Sequence, residues 1–228
     1  VAILSAIIAG QMGFPVGRIN LLVKSAILHD IGALKLQQLP DAEDLDDGTK
    51  EVVKKNTQET LDRYGDLDEE VLRLITQMQE LYTRESDAEI PAGLKESVNA
   101  NILYVADAYD RMTAMKSFEE PTSEVKAVRE LLADEERYNK KIVNALIHGI
   151  SILYPGVCVE LSNGEKGLVI TENEDNIFEP TVLDFRNNNL YDLSDPSVKQ
   201  TIEIADVMKT MDNRIKLDKS LLEEYQAN

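Results

Sequence analysis

His29 and Asp30 stand side by side at the end of an apolar stretch, and Ile31-Gly32 after them allows a turn through which both side chains can face one point. An imidazole beside a carboxylate suits a divalent ion that activates water. The same pair would also serve simply as a helix end, with the histidine hydrogen-bonded to its neighbour. A third residue raises the interest: Asp107 falls in Leu103-Tyr104-Val105-Ala106-Asp107-Ala108-Tyr109-Asp110, an otherwise apolar helical run. Burying a carboxylate there is costly unless a metal or a partner compensates. Its plainer reading is a helix-to-helix hydrogen bond or an exposed face, and Asp110 reads as solvated. The second histidine, His148, lies among apolar residues of a later helix and reads as a core residue. Cys158, the single cysteine, reads as a small apolar filler of a strand.

These residues need helices to position them. Val1–Gln11 and Val16–Asp30 read as two helices joined at Gly13-Phe14-Pro15, the first buried, the second with Val16, Ile19, Leu22, Val23, Ala26 and Ile27 on one stripe. Gln37–Gly48 is acidic and turn-rich, hence a surface loop. Thr49–Tyr64 resumes a helix that Gly65 can cap. Asp66 or Asp68 can start the next, which carries Val71, Leu72, Leu74, Ile75 and Met78. After a loop over Thr83–Ala92, one long helix is expected from about Leu94 to Met115. Further helices are expected from Pro121-Thr122-Ser123 to Ala133 and over Asn139–Ser151.

At Pro155 the period changes to alternation: Val157, Val159 and Leu161 lead into Asn163-Gly164, and Leu168-Val169-Ile170 lead away, a hairpin signal. Thr181–Phe185 and Thr201–Ala205 would add strands, and a short charged helix is expected near Leu217–Gln226. The expected fold is therefore mainly α, a helical bundle over residues 1–152 followed by a small β-rich subdomain over 153–228. A compact β unit is placed from about Val157 to Tyr191.

With 228 residues the chain can bury a substantial core, and its 43% hydrophobic content is ordinary for a globular protein. A net charge of −18 argues against a broad DNA or RNA footprint, which needs a concentrated basic face. The lone cysteine cannot form an internal disulfide, so a reducing cytoplasm is expected. The run Val1–Ala9 is too short to span a bilayer. Because the chain opens inside an apolar helix with no cap, residues upstream of Val1 are expected.

Several motifs in order carry a family resemblance. Leu28-His29-Asp30-Ile31-Gly32, Ile102 to Asp110, Met115-Lys116-Ser117-Phe118 and the stretch Tyr154-Pro155-Gly156-Val157 with Val159 to Glu165 together resemble the HD superfamily of metal-dependent phosphohydrolases. The resemblance is specifically to its HD-GYP branch, which cleaves cyclic di-GMP in bacterial signalling. It implies an HD-type helical bundle with a β-rich tail. It also implies metal ligands at His29, Asp30 and Asp107, with a first histidine ligand four residues before Val1.

The departures from that branch carry the functional expectation. Ala33 stands where a lysine usually follows the signature pair, Asn56 where a histidine is expected, and Met78-Gln79-Glu80 where the branch has His-His-Glu. Glu89-Ile90-Pro91 replaces Gly-Tyr-Pro. The chain has only two histidines in all. Two dications about 3.7 Å apart repel by about 18 kcal/mol at an effective dielectric near 20, and the imidazoles that would offset this are missing. No dinuclear centre is expected: either no cofactor, or at most one Fe, Mn, Mg or Zn ion on His29, Asp30 and Asp107. Lys35, Glu80, Arg111 and Lys116 are the candidate ligand-binding side chains.

The leading expectation is a degenerate, non-catalytic signalling domain that binds a cyclic dinucleotide or a signalling protein, with homodimerisation left open. The alternative is a phosphodiesterase with a mononuclear site. A third reading is a purely structural domain in which the surviving pair is a helix-terminal hydrogen bond.

Overall fold

A computed structural model describes residues 1–36, 46–64, 67–83, 91–115 and 120–208. Its contacts cluster into two compact units, one of Val1–Thr122 with Ala127–Ile150 and one of Ser123–Lys126 with the chain from Ser151 onward.

The first unit is helical. Its elements are α1 (Ala2–Gln11), α2 (Val16–Leu28), a 3-10 turn (Ile31–Lys35), α3 (Asp47–Asp62), α4 (Glu69–Tyr82), α5 (Ala92–Glu96), α6 (Val98–Thr113), α7 (Glu124–Ala133, of which the residues up to Lys126 belong to the second unit) and α8 (Lys140–Ile150). Side-chain caps start two of them. Asp46 accepts from the Thr49 amide at the head of α3 and Asp68 from the Glu70 amide at the head of α4, where Glu69 and Glu70 also favour the helix dipole. The start of α4 is thus Asp68; Gly65 and Asp66 lie outside the described residues.

At the centre runs α6, buried without interruption from Ala100 to Tyr109 and packed against α1, α2, α4, α5 and α8. A surface helix would show one apolar stripe; a helix apolar all round belongs in the middle of a bundle. The expected single helix from Leu94 to Met115 is in fact two. Ser97 breaks it, and the buried Asn101 side chain donates to the carbonyls of Leu94 at 3.0 Å and Ser97 at 2.9 Å, satisfying the end of α5. No Pro or Gly marks that break.

Three further expectations are corrected. The first helix is not wholly buried: Ser5, Ile8 and Ala9 face inward, while Ile3 is 77% exposed. His148 is exposed, not in the core. Steps of 100° from the buried Ile142 and Leu146 put it on the polar side of α8, with Lys141 and Asn144. The helix expected from Pro121 begins at Glu124.

The second unit holds a five-stranded antiparallel sheet of order β4-β3-β2-β1-β5, built from β1 (Cys158–Leu161), β2 (Lys166–Thr171), β3 (Thr181–Asp184), β4 (Leu190–Asp192) and β5 (Ile204–Val207). Between β4 and β5 lies a single helical turn, α9 (Pro196–Lys199), capped by Asp195. The hairpin at Asn163-Gly164 is present. Gly164 sits at φ +83° and donates to the Leu161 carbonyl, the geometry of a turn closed by a left-handed glycine.

Inward residues alternate as the period demands, with Val159, Leu161, Val169 and Val182 all buried. The sheet extends beyond Tyr191, because β5 pairs with β1, Glu160 opposite Asp206. That strand begins at Ile204 instead of Thr201, since the amides of Thr201 and Ile202 are engaged by the Val198 carbonyl in the last turn of α9. The helix expected near Leu217–Gln226 lies outside the described residues. Among the described residues, no helix is long and apolar enough to cross a membrane.

Candidate functional site

His29 is the C-cap of α2, its ring buried at 9% exposure. Its Nδ1 lies 2.8 Å from the Ala26 carbonyl, which can only accept, so Nδ1 carries a proton and Nε2 is turned toward α6. There Nε2 faces Asp107 Oδ1 at 3.5 Å. Asp107 is 7% exposed, and its other oxygen is 3.0 Å from Arg111 Nε, one helical turn further along α6. The guanidinium in turn lies 4.5 Å from the centre of the Tyr82 ring at the end of α4, and the Lys50 ammonium lies 5.2 Å from the same ring.

The electrostatics follow from these contacts. Burial pushes the His29 pKa down, but Asp107 by contact and charge, and Asp30 by charge, outweigh it and raise it above the ordinary value. Burial likewise pushes the Asp107 carboxyl up, and His29 and Arg111 together bring it below the usual carboxylate range. Both shifts favour the charged pair.

Asp30 does not join them. Its side chain is 65% exposed, and its nearest approach to the ring is to Nδ1, at 3.8 Å, the side away from Asp107. The two carboxylates thus flank the imidazole on opposite sides, and the three candidate ligands do not converge on one point. Asp30 ends the turn that carries it toward solvent, and the 3-10 helix that follows is held by α3. Gly32 N donates to Thr57 Oγ1 at 3.0 Å, while the Asn56 side chain reaches the Gly32 carbonyl at 3.4 Å.

The remaining candidates separate. Arg111 is part of the cluster. Lys35 reaches the Asn56 carbonyl at 3.3 Å and pairs with Glu59 at 3.7 Å, on the α3 side of the turn. Glu80 is exposed, one residue past the inward face formed by Leu74, Ile75, Met78 and Gln79. Lys116 lies outside the described residues, as do Glu89 and Ile90.

Two participants were not named from sequence as part of the site. Gln79, buried, donates from its carboxamide to the His29 carbonyl at 2.8 Å and so ties α4 to the end of α2. Tyr82 supplies the ring under Arg111. The i, i+4 spacing of Asp107 and Arg111 was the signal available in the sequence for an ion pair between them.

A divalent ion fits this donor set poorly. Among the described residues no three His, Cys, Asp or Glu side chains form a group able to hold a metal. The second oxygen of Asp107 is already beside a cation, and a dication about 5 Å from a guanidinium would be repelled by about 7 kcal/mol at an effective dielectric near 20. Met78, buried, and Gln79, hydrogen-bonded to the backbone, offer no anionic replacement.

A comparison with known families finds one match, the HD domain, over residues 1–112, which span His29, Asp30 and Asp107. No curated protein matches the chain.

Proposed function

From the match of residues 1–112 to the HD domain, we propose that this protein is a degenerate, HD-GYP-like member of the metal-dependent phosphohydrolase superfamily that acts in signalling by binding and not by hydrolysis. What it would bind is a cyclic dinucleotide or a protein partner.

The observation that carries the reading is the pairing of Asp107 with Arg111. Phosphodiester cleavage needs an activated water and positive charge gathered around the phosphoryl oxygens, which a metal centre supplies together. Here the buried carboxylate has a guanidinium at 3.0 Å, and the histidine has that carboxylate on Nε2. The donors a metal would need are engaged with each other. Gln79, at a position where the branch carries an imidazole, donates a hydrogen bond instead of a lone pair.

The test is incubation of the protein with cyclic di-GMP and Mn²⁺, Fe²⁺ or Mg²⁺ under anaerobic conditions, with product analysis and equilibrium binding on the same sample. Saturable binding without product supports the proposal. Metal-dependent turnover abolished by Asp107→Asn would overturn it and restore the mononuclear phosphodiesterase. Neither binding nor turnover would leave a protein partner as the ligand to seek.

A further inference from the structure

We infer that Arg111 is the resident cation of the His29 and Asp107 site, a guanidinium built into α6 that balances a carboxylate buried deeply enough to demand a counter-charge. Asp107 is 7% exposed within a run of buried apolar residues. An ionised carboxylate in such a place must be paired, or it neutralises. Arg111 meets it from the next turn of the same helix at 3.0 Å, the i, i+4 spacing placing the two side chains on one face.

The guanidinium is also held from a second element, since the Tyr82 ring of α4 lies 4.5 Å beneath it. Arg111 therefore does two things that a bound ion does in a metal centre: it neutralises the buried acid and it joins helices. The carboxamide of Gln79 completes the joint by fixing the His29 carbonyl to α4. The α2, α4 and α6 segments around the site are then cross-linked by side chains alone, and the helical unit owes its cohesion there to Arg111 and not to a divalent ion. This shares with the proposed function the premise that His29 and Asp107 do not hold a metal, but it makes no use of any ligand.

The experiment is thermal unfolding of the full chain with EDTA, with Mn²⁺ and with Zn²⁺, for wild type, Arg111→Met and the double variant Asp107→Asn with Arg111→Met. Methionine keeps the apolar stem and removes the charge, and the double variant removes both charges. Wild type is expected to melt at the same temperature in all three conditions. Arg111→Met is expected to melt about 4–10 °C lower, and the double variant to recover at least half of that loss, because no buried charge is then left alone.

A wild-type midpoint raised by either ion and lowered by EDTA, with bound metal found by elemental analysis, would overturn the inference. So would an Arg111→Met midpoint equal to wild type, or a double variant no better than the single one, which would assign the loss to packing. Should Arg111→Met fail to fold, the wild-type ion series and the double variant still decide. None of these readouts involves cyclic di-GMP, so failure to bind it would leave this inference standing.

Discussion

Gly32→Ala is the most severe small change that can be made near the site. A Cβ there would lie 2.3 Å from the Val53 carbonyl oxygen, 2.4 Å from the Thr57 amide and 2.5 Å from Thr57 Oγ1. Two of these are backbone atoms of α3, which cannot rotate aside, so the 3-10 turn must lift away from the helix. Lifting it stretches the 3.0 Å hydrogen bond from Gly32 N to Thr57 Oγ1, whose residue is fully buried. Overpacking costs about 1–3 kcal/mol, and leaving buried hydrogen-bonding groups unmade about 1–3 more. The expected loss is therefore about 2–6 kcal/mol, a large part of the roughly 5–15 kcal/mol that holds a typical protein folded. Gly10→Ala is the matched control, since that glycine is in α1 with no heavy atom within 4 Å of the added carbon. Alanine there should gain up to about 1 kcal/mol from helix propensity. Urea unfolding followed by far-ultraviolet circular dichroism measures both. A Gly32→Ala variant within about 0.5 kcal/mol of wild type at an unchanged denaturant slope would refute the close-approach argument.

Three further outcomes are expected. Gln79→Leu, nearly equal in volume, removes the donor to the His29 carbonyl and should cost about 1–3 kcal/mol in the same urea assay; no loss would mean that the carbonyl is satisfied by water. Asn101→Ala should cost a similar amount, about 1–3 kcal/mol, and hydrogen exchange should show α5 opening first, because the Leu94 and Ser97 carbonyls lose their shared amide. Stability should also depend on pH through the central pair. His29 has its pKa raised, so its contribution is complete below the ordinary value of 6.5 and disappears as pH rises through the folded value. Asp107 has its pKa lowered, so its contribution is complete above the ordinary value of 3.8 and disappears as pH falls through the folded value. Between those two ordinary values both are present, and Asp107→Asn should flatten the profile at both ends; an unchanged profile in denaturant titrations across pH would contradict the pairing.

Much of the scaffold could be read from periodicity because burial in a helix repeats every 3.6 residues. The stripe of Val71, Leu74, Ile75 and Met78 in α4 and that of Ile142, Val143 and Leu146 in α8 face inward as their spacing requires. The Asn163-Gly164 hairpin was legible because only a left-handed residue closes that turn. What escaped reading was decided by the contacts of single polar side chains, some local and some between helices. Ser97 divides α5 from α6 because a distant-looking Asn101 amide caps the shorter helix, and an asparagine inside an apolar run has no local signature of that job. Arg111 stands in the sequence as a candidate ligand-binding side chain; its pairing with Asp107 lies within α6, but its seat on the Tyr82 ring depends on how α4 crosses α6. Gln79 looked like a lost imidazole, and only the placement of α2 reveals it as a donor to the backbone.

The crossing of α1 with α8 bears on the protein's birth at the ribosome. Gly149 lets α8 approach so closely that an added Cβ would meet the Ile7 methyl at 2.2 Å, yet Ile7 and Gly149 are about 140 residues apart in the chain. At roughly 5–20 residues per second, translation takes about 7–28 s to supply the helix that covers α1. Until then Ile7 has no α8 to pack on. The nascent helical unit must therefore stay soluble with the α8-facing side of α1 uncovered, and a pause in synthesis before Lys140 would prolong the interval in which that side can meet the wrong partner.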